Sequence, residues 1–333
     1  MATMVERNKD NMKTDSVNVL ETTEYVIKHA KSVSLHEDKV DAIVPKILEY
    51  VAKNQHDIVV NPGTKETFEQ DAQQIFLQDA VNFCYWAEKD KPKWEIEFPK
   101  GTIIKGGAYA MAGSFRRAVV EHTPILDANY LSGLTQVQTA DLFRSSNGVD
   151  MPLLKERHAS LSEAGKVLVS KFKGKFTNVI EESGYDAVKL VKLIYENFSS
   201  FRDIAKYDGK EIYFLKRAQI CADDISFLTG LPHKLTNLGK LTAFADYKLP
   251  QMLREAGIIE YTPKLAKRVD NMVLIKVGSK EEVEIRAATV QGIELIRQRI
   301  PEYTAAVIDS TLWYISQDQT NVRPYHRTYT IYY

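Results

Sequence analysis

Cysteine is nearly absent: Cys84 and Cys221 are the only two in 333 residues. That excludes a disulfide framework, and the lack of any CxxC or Cys/His cluster leaves a zinc site without ligands of the usual spacing. A reduced, intracellular setting is the expectation. Net charge is absent as well, since 44 Lys+Arg balance 44 Asp+Glu. Proteins that track a nucleic-acid backbone ordinarily carry a basic excess. No stable nucleic-acid complex is therefore expected, although a local basic pocket remains open. No apolar run approaches the ~20 residues that span a bilayer, and residues 1–16 lack the apolar core of a secretory signal. A soluble protein, cytoplasmic or also nuclear, with no membrane attachment is expected. There is no HExxH and no GxSxG, and no GK[ST] follows Gly106-Gly107, so zincin, α/β-hydrolase and P-loop chemistry have no support.

What is present is ordinary globular material, with 44% hydrophobic and 26% charged residues. Residues 1–15 read as a disordered tail of Asn, Lys, Asp and Thr. No low-complexity linker divides residues 16–333, which read as a single domain. The apolar spacing is mostly helical. Val40, Ile43, Ile47 and Val51 step by threes and fours, as do Phe68, Ala72, Ile75, Phe76, Ala80 and Phe83. Further helices are expected after Gly106-Gly107 to Val120, from Met151-Pro152 onward with Asp150 as N-cap, and at about 217–229, 250–256, 281–299 and 304–317. Strand text is short. Trp94 to Phe98 and Thr102 to Ile104 flank Pro99-Lys100-Gly101 as a hairpin, and Ile212 to Leu215 follows the turn Asp208-Gly209. The fold class is mainly α with a small β element.

Two acids stand out. Asp246, in Phe244-Ala245-Asp246-Tyr247-Lys248-Leu249-Pro250-Gln251, precedes a helix whose first turn accommodates Pro250. A carboxylate there can be partly desolvated and held by backbone N–H groups, or it can simply cap the helix beside core aromatics. Asp309 lies on an apolar helix, four residues before Trp313, and needs a partner. Two parallel N–H donors, from an arginine or a guanine-type edge, would satisfy it, as would an ion pair with Arg286 or Arg323. Lys216-Arg217 open a helix after a strand and could hold a phosphate, or form a solvated basic turn. His158 could act as general acid or base, but suits a surface or core role equally.

Several segments together resemble the queuosine salvage proteins, which are queuosine 5′-phosphate N-glycosylases. In order they are Asn82-Phe83-Cys84-Tyr85-Trp86, Met151-Pro152-Leu153-Leu154-Lys155-Glu156-Arg157-His158, Phe201-Arg202-Asp203, Lys216-Arg217-Ala218-Gln219-Ile220, the Phe244 to Gln251 segment, Glu282-Val283-Glu284-Ile285-Arg286 and Tyr332-Tyr333. The resemblance runs through roughly residues 17–333. It implies a helical fold similar to helix-hairpin-helix DNA glycosylases, no metal or organic cofactor, and hydrolysis of queuosine 5′-monophosphate to queuine and ribose 5-phosphate. Queuine then becomes available for reinsertion into tRNA. It also implies that Asp246 is the catalytic aspartate, that Phe244 and Ala245 contact the base, and that Asp309 reads its guanine-like edge with Ser310 beside it. Tyr314 stands where family members carry a second aspartate near the cyclopentenediol. His56 is the nearest counterpart of a family histidine. The resemblance identifies no phosphate ligand, which leaves Lys216 and Arg217 as candidates from charge and helix position. Two readings compete with this one: a non-catalytic module that sequesters a modified nucleotide, and a glycosylase acting on flipped bases in nucleic acid, which the charge balance disfavours.

Overall fold

A computed structural model describes residues 18–54, 68–319 and 321–333. His56 and the N-terminal tail lie outside these residues. The architecture is mainly helical, as expected from the spacing. In chain order it has α1 (Val19–His29), β1 (Val33–Leu35), a 3-10 turn (Glu37–Ala42), α2 (Val44–Asn54) and α3 (Phe68–Ala80). There follow β2 (Ile96–Glu97), β3 (Ile103–Ile104), α4 (Gly107–Val120), α5 (Ala128–Ser132), α6 (Gln136–Leu142), α7 (Leu154–Lys171), α8 (Phe176–Glu182) and α9 (Ala187–Asn197). The remainder is β4 (Ile204–Tyr207), β5 (Lys210–Tyr213), α10 (Lys216–Ser226), α11 (Lys248–Glu255), β6 (Ile259–Tyr261), α12 (Pro263–Asp270), α13 (Lys280–Arg299) and α14 (Ala305–Asp318). The helix-hairpin-helix likeness rests on the family resemblance alone. Among the described residues no helix is long and apolar enough to cross a membrane.

The strands form three antiparallel pairs. The expected hairpin forms as β2–β3, with Ile96 opposite Ile104. The strand after Asp208-Gly209 is the second arm of β4–β5. The third pair joins β1 to β6, with Val33 opposite Tyr261. The stretch read as one helix from Val40 is broken instead into the 3-10 turn and α2, with Pro45 in the first turn of α2. Asp150 is not the cap of α7. That helix starts at Leu154, after Leu153 takes a left-handed φ of 54°. The Pro152 carbonyl then accepts from Arg157 Nε at 2.9 Å. Deeper in α7, a Cβ on Gly165 would lie 2.5 Å from the Ser132 backbone nitrogen, so only glycine lets α7 press this closely against α5.

Buried apolar side chains fall into three clusters. The largest is built on residues 68–241 and includes Phe76, Phe176 and Phe198. A second joins Val33, Ile47 and Val51 to Leu253, Ile293 and Leu312. The third sets Val19 and Val26 against Phe214, Val283 and Val290. The segment 241–249 crosses all three: Leu241 sits in the first, Ala243 and Leu249 in the second, Ala245 in the third. Each fully buried aliphatic or aromatic anchor is worth roughly 1.5–3 kcal/mol, so this short irregular segment is held rigidly without regular structure.

Candidate active site

Asp246 sits at the N-terminus of α11, as the sequence suggested. Its Oδ1 accepts from the backbone N–H of Lys248 at 2.8 Å and of Leu249 at 2.9 Å. These are N–H groups that no helical carbonyl can satisfy, so the sequence Asp-x-Lys-Leu-Pro folds locally into a pinned carboxylate. The residue stays half-buried. Burial raises its pKa, opposed by the Lys216 ammonium and the two N–H donors.

Asp309 approaches from α14. Its Oδ2 accepts from the Phe244 backbone N–H at 2.7 Å, two residues before Asp246. That is its partner, rather than Arg286 or Arg323: Arg286 pairs with Asp203 and Arg323 with Glu255. Asp309 is 5% exposed, and burial together with the neighbouring Asp246 charge pushes its pKa well above the usual range. The two acids therefore differ: Asp246 is held by two N–H donors, and Asp309, buried more deeply with one, has its pKa pushed further up. Carboxyls whose environments drive them apart in this way are suited to separate roles. Phe244 and Ala245 are buried between them, while Ser310 and Tyr314 follow Asp309 on α14, one turn apart and half-buried.

The basic pair divides. Lys216 is 6% exposed and its ammonium donates to the Asn82 carbonyl at 3.2 Å. Burial lowers its pKa, opposed by Asp246, Asp79 and Asp309. It lies within the acid cluster, as a counter-ion. Arg217 faces away: its guanidinium donates to the carbonyls of Asp79, Ala80 and Ser200, so it cannot hold a phosphate here. Lys248 takes the more open position. Its ammonium lies 5.4 Å from the Tyr325 ring centre, and its pKa is lowered by burial and by Lys93, against the pull of Asp246. His158 bonds Thr139 at 3.0 Å and belongs to the packing of α7 on α6.

A buried polar frame holds these groups in place. Arg286 donates to both oxygens of Asp203, at 2.7 and 2.6 Å, and through Nε to the Ala245 carbonyl at 3.2 Å. Asp203 Oδ2 also accepts from the Lys216 backbone N–H at 3.1 Å. One ion pair thus fixes the start of α10 and the residue beside Asp246. Gln219 completes the frame, accepting from the Thr242 N–H at 2.8 Å and donating to the Phe214 carbonyl at 2.9 Å. Arg157 clamps the carbonyls of Val81, Phe83 and Cys84, and lies over the Phe83 ring at 4.3 Å, with Arg217 also over that ring at 5.1 Å. The two arginines anchor the segment that supplies Asp79 and Asn82. Sequence reasoning assigned no role to Asp79, Asn82, Asp203 or Gln219. The available signal was that Asn82, Asp203 and Gln219 lie within the segments that carry the family resemblance.

Known proteins resemble this chain over most of its length. The queuosine salvage protein family matches residues 60–333. A Sphaerobacter thermophilus protein named queuosine 5′-phosphate N-glycosylase/hydrolase is 38% identical over 333 residues, covering 96% of this chain and 98% of that one. A Mus musculus protein of the same name is 38% identical over 275 residues, covering 78% and 81%. The Dictyostelium discoideum counterpart is 31% identical over 334 residues, covering 95% and 98%. The matched region carries the pinned Asp246, the buried Asp309 and the whole frame around them, and on that basis the chain belongs to the queuosine salvage protein family.

Proposed function

We propose that this chain hydrolyses the N-glycosidic bond of queuosine 5′-monophosphate, releasing queuine and ribose 5-phosphate. The observation that carries the reading is a half-buried carboxylate, Asp246, pinned by the Lys248 and Leu249 N–H groups, with a buried acid, Asp309, bonded to the N–H of Phe244 two residues before it. Breaking an N-riboside bond places positive charge on the sugar. Asp246, ionised beside Lys216, stabilises that charge or traps the sugar as nucleophile. Asp309 presents its carboxyl to the base, and the N–H donors of a guanine-type edge supply what its ionised form needs. Phe244 and Ala245 line the base, with Ser310 and Tyr314 beyond. Lys248, with Lys93 near it, is the cation at the mouth and takes the 5′-phosphate, in place of Arg217.

The direct test incubates purified protein with queuosine 5′-monophosphate and with the unphosphorylated nucleoside, following free queuine by mass spectrometry. Queuine release, faster from the nucleotide, is the expected result. Tight binding with no release would instead identify a sequestering module.

Two variants probe the roles. Asp309→Ala removes charge-assisted hydrogen bonds to the base and should weaken kcat/KM by a factor of roughly 10–100. Unchanged kinetics, or equal cleavage of nucleotides lacking the guanine-type edge, would remove Asp309 from base readout. Lys216→Met removes the cation that opposes the raised pKa of Asp246. The acid limb of the kcat/KM profile should then move to higher pH, by about 1–2 units, because Asp246 must be ionised to act. A limb that stays in place would show that Lys216 does not set the ionisation of Asp246.

A further inference from the structure

Arg286 has a second carboxylate within reach. Glu282 precedes it by four residues on α13, so the two side chains share a helix face. Glu282 Oε1 lies 3.9 Å from Arg286 Nη1, beyond hydrogen-bond distance. That same Nη1 donates to Asp203 at 2.7 Å. The Tyr333 hydroxyl occupies Glu282 Oε1, donating to it at 2.9 Å. The Gly278 N–H donates to Oε2 at 3.0 Å. Both oxygens of this buried carboxylate thus have a donor other than Arg286. Burial raises the Glu282 pKa, opposed by the Arg286 charge and by these two donors.

Tyr333 is itself fixed at both ends. Its backbone oxygen accepts from the Cys84 N–H at 2.9 Å. The Arg286 guanidinium lies over its ring at 4.4 Å and over the Phe214 ring at 4.0 Å. His326 Nε2 stands 3.2 Å from the hydroxyl. Burial, with the Arg286 charge, lowers the His326 pKa to about 3, so the imidazole is neutral. With its proton on Nε2 it donates to the phenol oxygen, which leaves the phenol proton for Glu282.

We infer that the Tyr333 hydroxyl is a positioning group for the reaction: by occupying Glu282 it keeps the Arg286 guanidinium on Asp203 and on the Ala245 carbonyl, and so keeps Asp246 and Lys216 in register. Without the hydroxyl, Oε1 becomes a buried carboxylate oxygen with no partner, a state costly enough to draw in the nearest donor. Arg286 Nη1 is the donor within reach. Its move toward Glu282 loosens the pair with Asp203, whose Oδ2 also holds the Lys216 N–H, and the Nε bond to Ala245, the residue before Asp246. The inference rests on the glycosidase reading for its activity readout.

Tyr333→Phe removes the hydroxyl and keeps the ring beneath Arg286. With queuosine 5′-monophosphate, kcat should fall by a factor of about 10–100 while KM changes by less than about threefold, because the reacting carboxylate shifts and Asp309 keeps its bond to the Phe244 N–H. Adding Glu282→Gln removes the charge that competes for Arg286. The double variant Tyr333→Phe with Glu282→Gln should therefore regain a kcat within about threefold of wild type. A residue that only supports the fold predicts the opposite, since a second buried substitution would deepen the loss. Wild-type kcat in Tyr333→Phe, or a double variant no faster than the single one, would overturn the proposal. If Tyr333→Phe does not fold, the double variant decides alone: kcat within about threefold of wild type upholds the proposal and a larger loss refutes it. Should the wild type cleave no nucleotide, the glycosidase reading fails on its own, and crystal structures of the wild type and Tyr333→Phe decide. Arg286 Nη1 moved onto Glu282 in the variant upholds the inference, and Arg286 unmoved refutes it.

Discussion

Asp246→Asn is expected to reduce queuine release by about three orders of magnitude or more, with the chain still folded. The substitution is nearly isosteric, and the amide oxygen can accept the same two N–H bonds from Lys248 and Leu249. The turn before α11 therefore survives, and what disappears is the negative charge. No neighbour can replace it. Asp309 is buried, with its pKa pushed well above the usual range, and is tied to the Phe244 N–H. Base contacts remain, so the variant should bind substrate with an affinity near that of the wild type while failing to turn it over. The measurement is single-turnover release of queuine beside a binding isotherm. Turnover within a factor of about ten of wild type would remove Asp246 from the chemistry.

The second large effect is on stability. Arg286→Met should destabilise the protein by about 3–5 kcal/mol, because it leaves Asp203 buried with an unpaired charge. Asp203 and Arg286 are 3% and 1% exposed, so water cannot take over the lost bonds. A fall in melting temperature on the order of 10 °C is expected. The double variant Arg286→Met with Asp203→Leu removes both charges and should recover much of the loss. Recovery should be incomplete, because the Lys216 N–H and the Ala245 carbonyl lose partners as well. A single-variant cost below about 1 kcal/mol, measured by chemical unfolding, would show that the pair is not the centre of the frame.

How much could be read in advance depended on the range of the interaction. Helix spacing placed α3, α4, α13 and α14 closely, because an amphipathic stripe is a local property. The Asp246 turn was legible for the same reason, since its donors are two and three residues away. The β1–β6 pair was not, because a three-residue strand carries no periodicity of its own and its partner is remote. Asp309 announced that it needed a partner, but that partner is a backbone N–H, which no side-chain inventory reveals. Arg217 looked like a solvent or phosphate cation, yet it holds carbonyls that every residue possesses, as Arg157 does. Asp203 and Arg286 each lay within a recognisable segment, but only the folded chain shows that they meet and that their bond reaches the residues on either side of the reaction.

The remote pairing of β1 with β6 sets the order in which the protein can be completed during synthesis. Val33, Ile47 and Val51 share their buried cluster with many residues encoded about 200 positions later, among them Leu253, Ile259 and Ile293. At roughly 5–20 residues per second on the ribosome, that apolar face waits some 10–40 seconds for its cover. The first segment made is thus among the last to be enclosed, and through that interval it offers a sticky surface to chaperones and to neighbouring nascent chains.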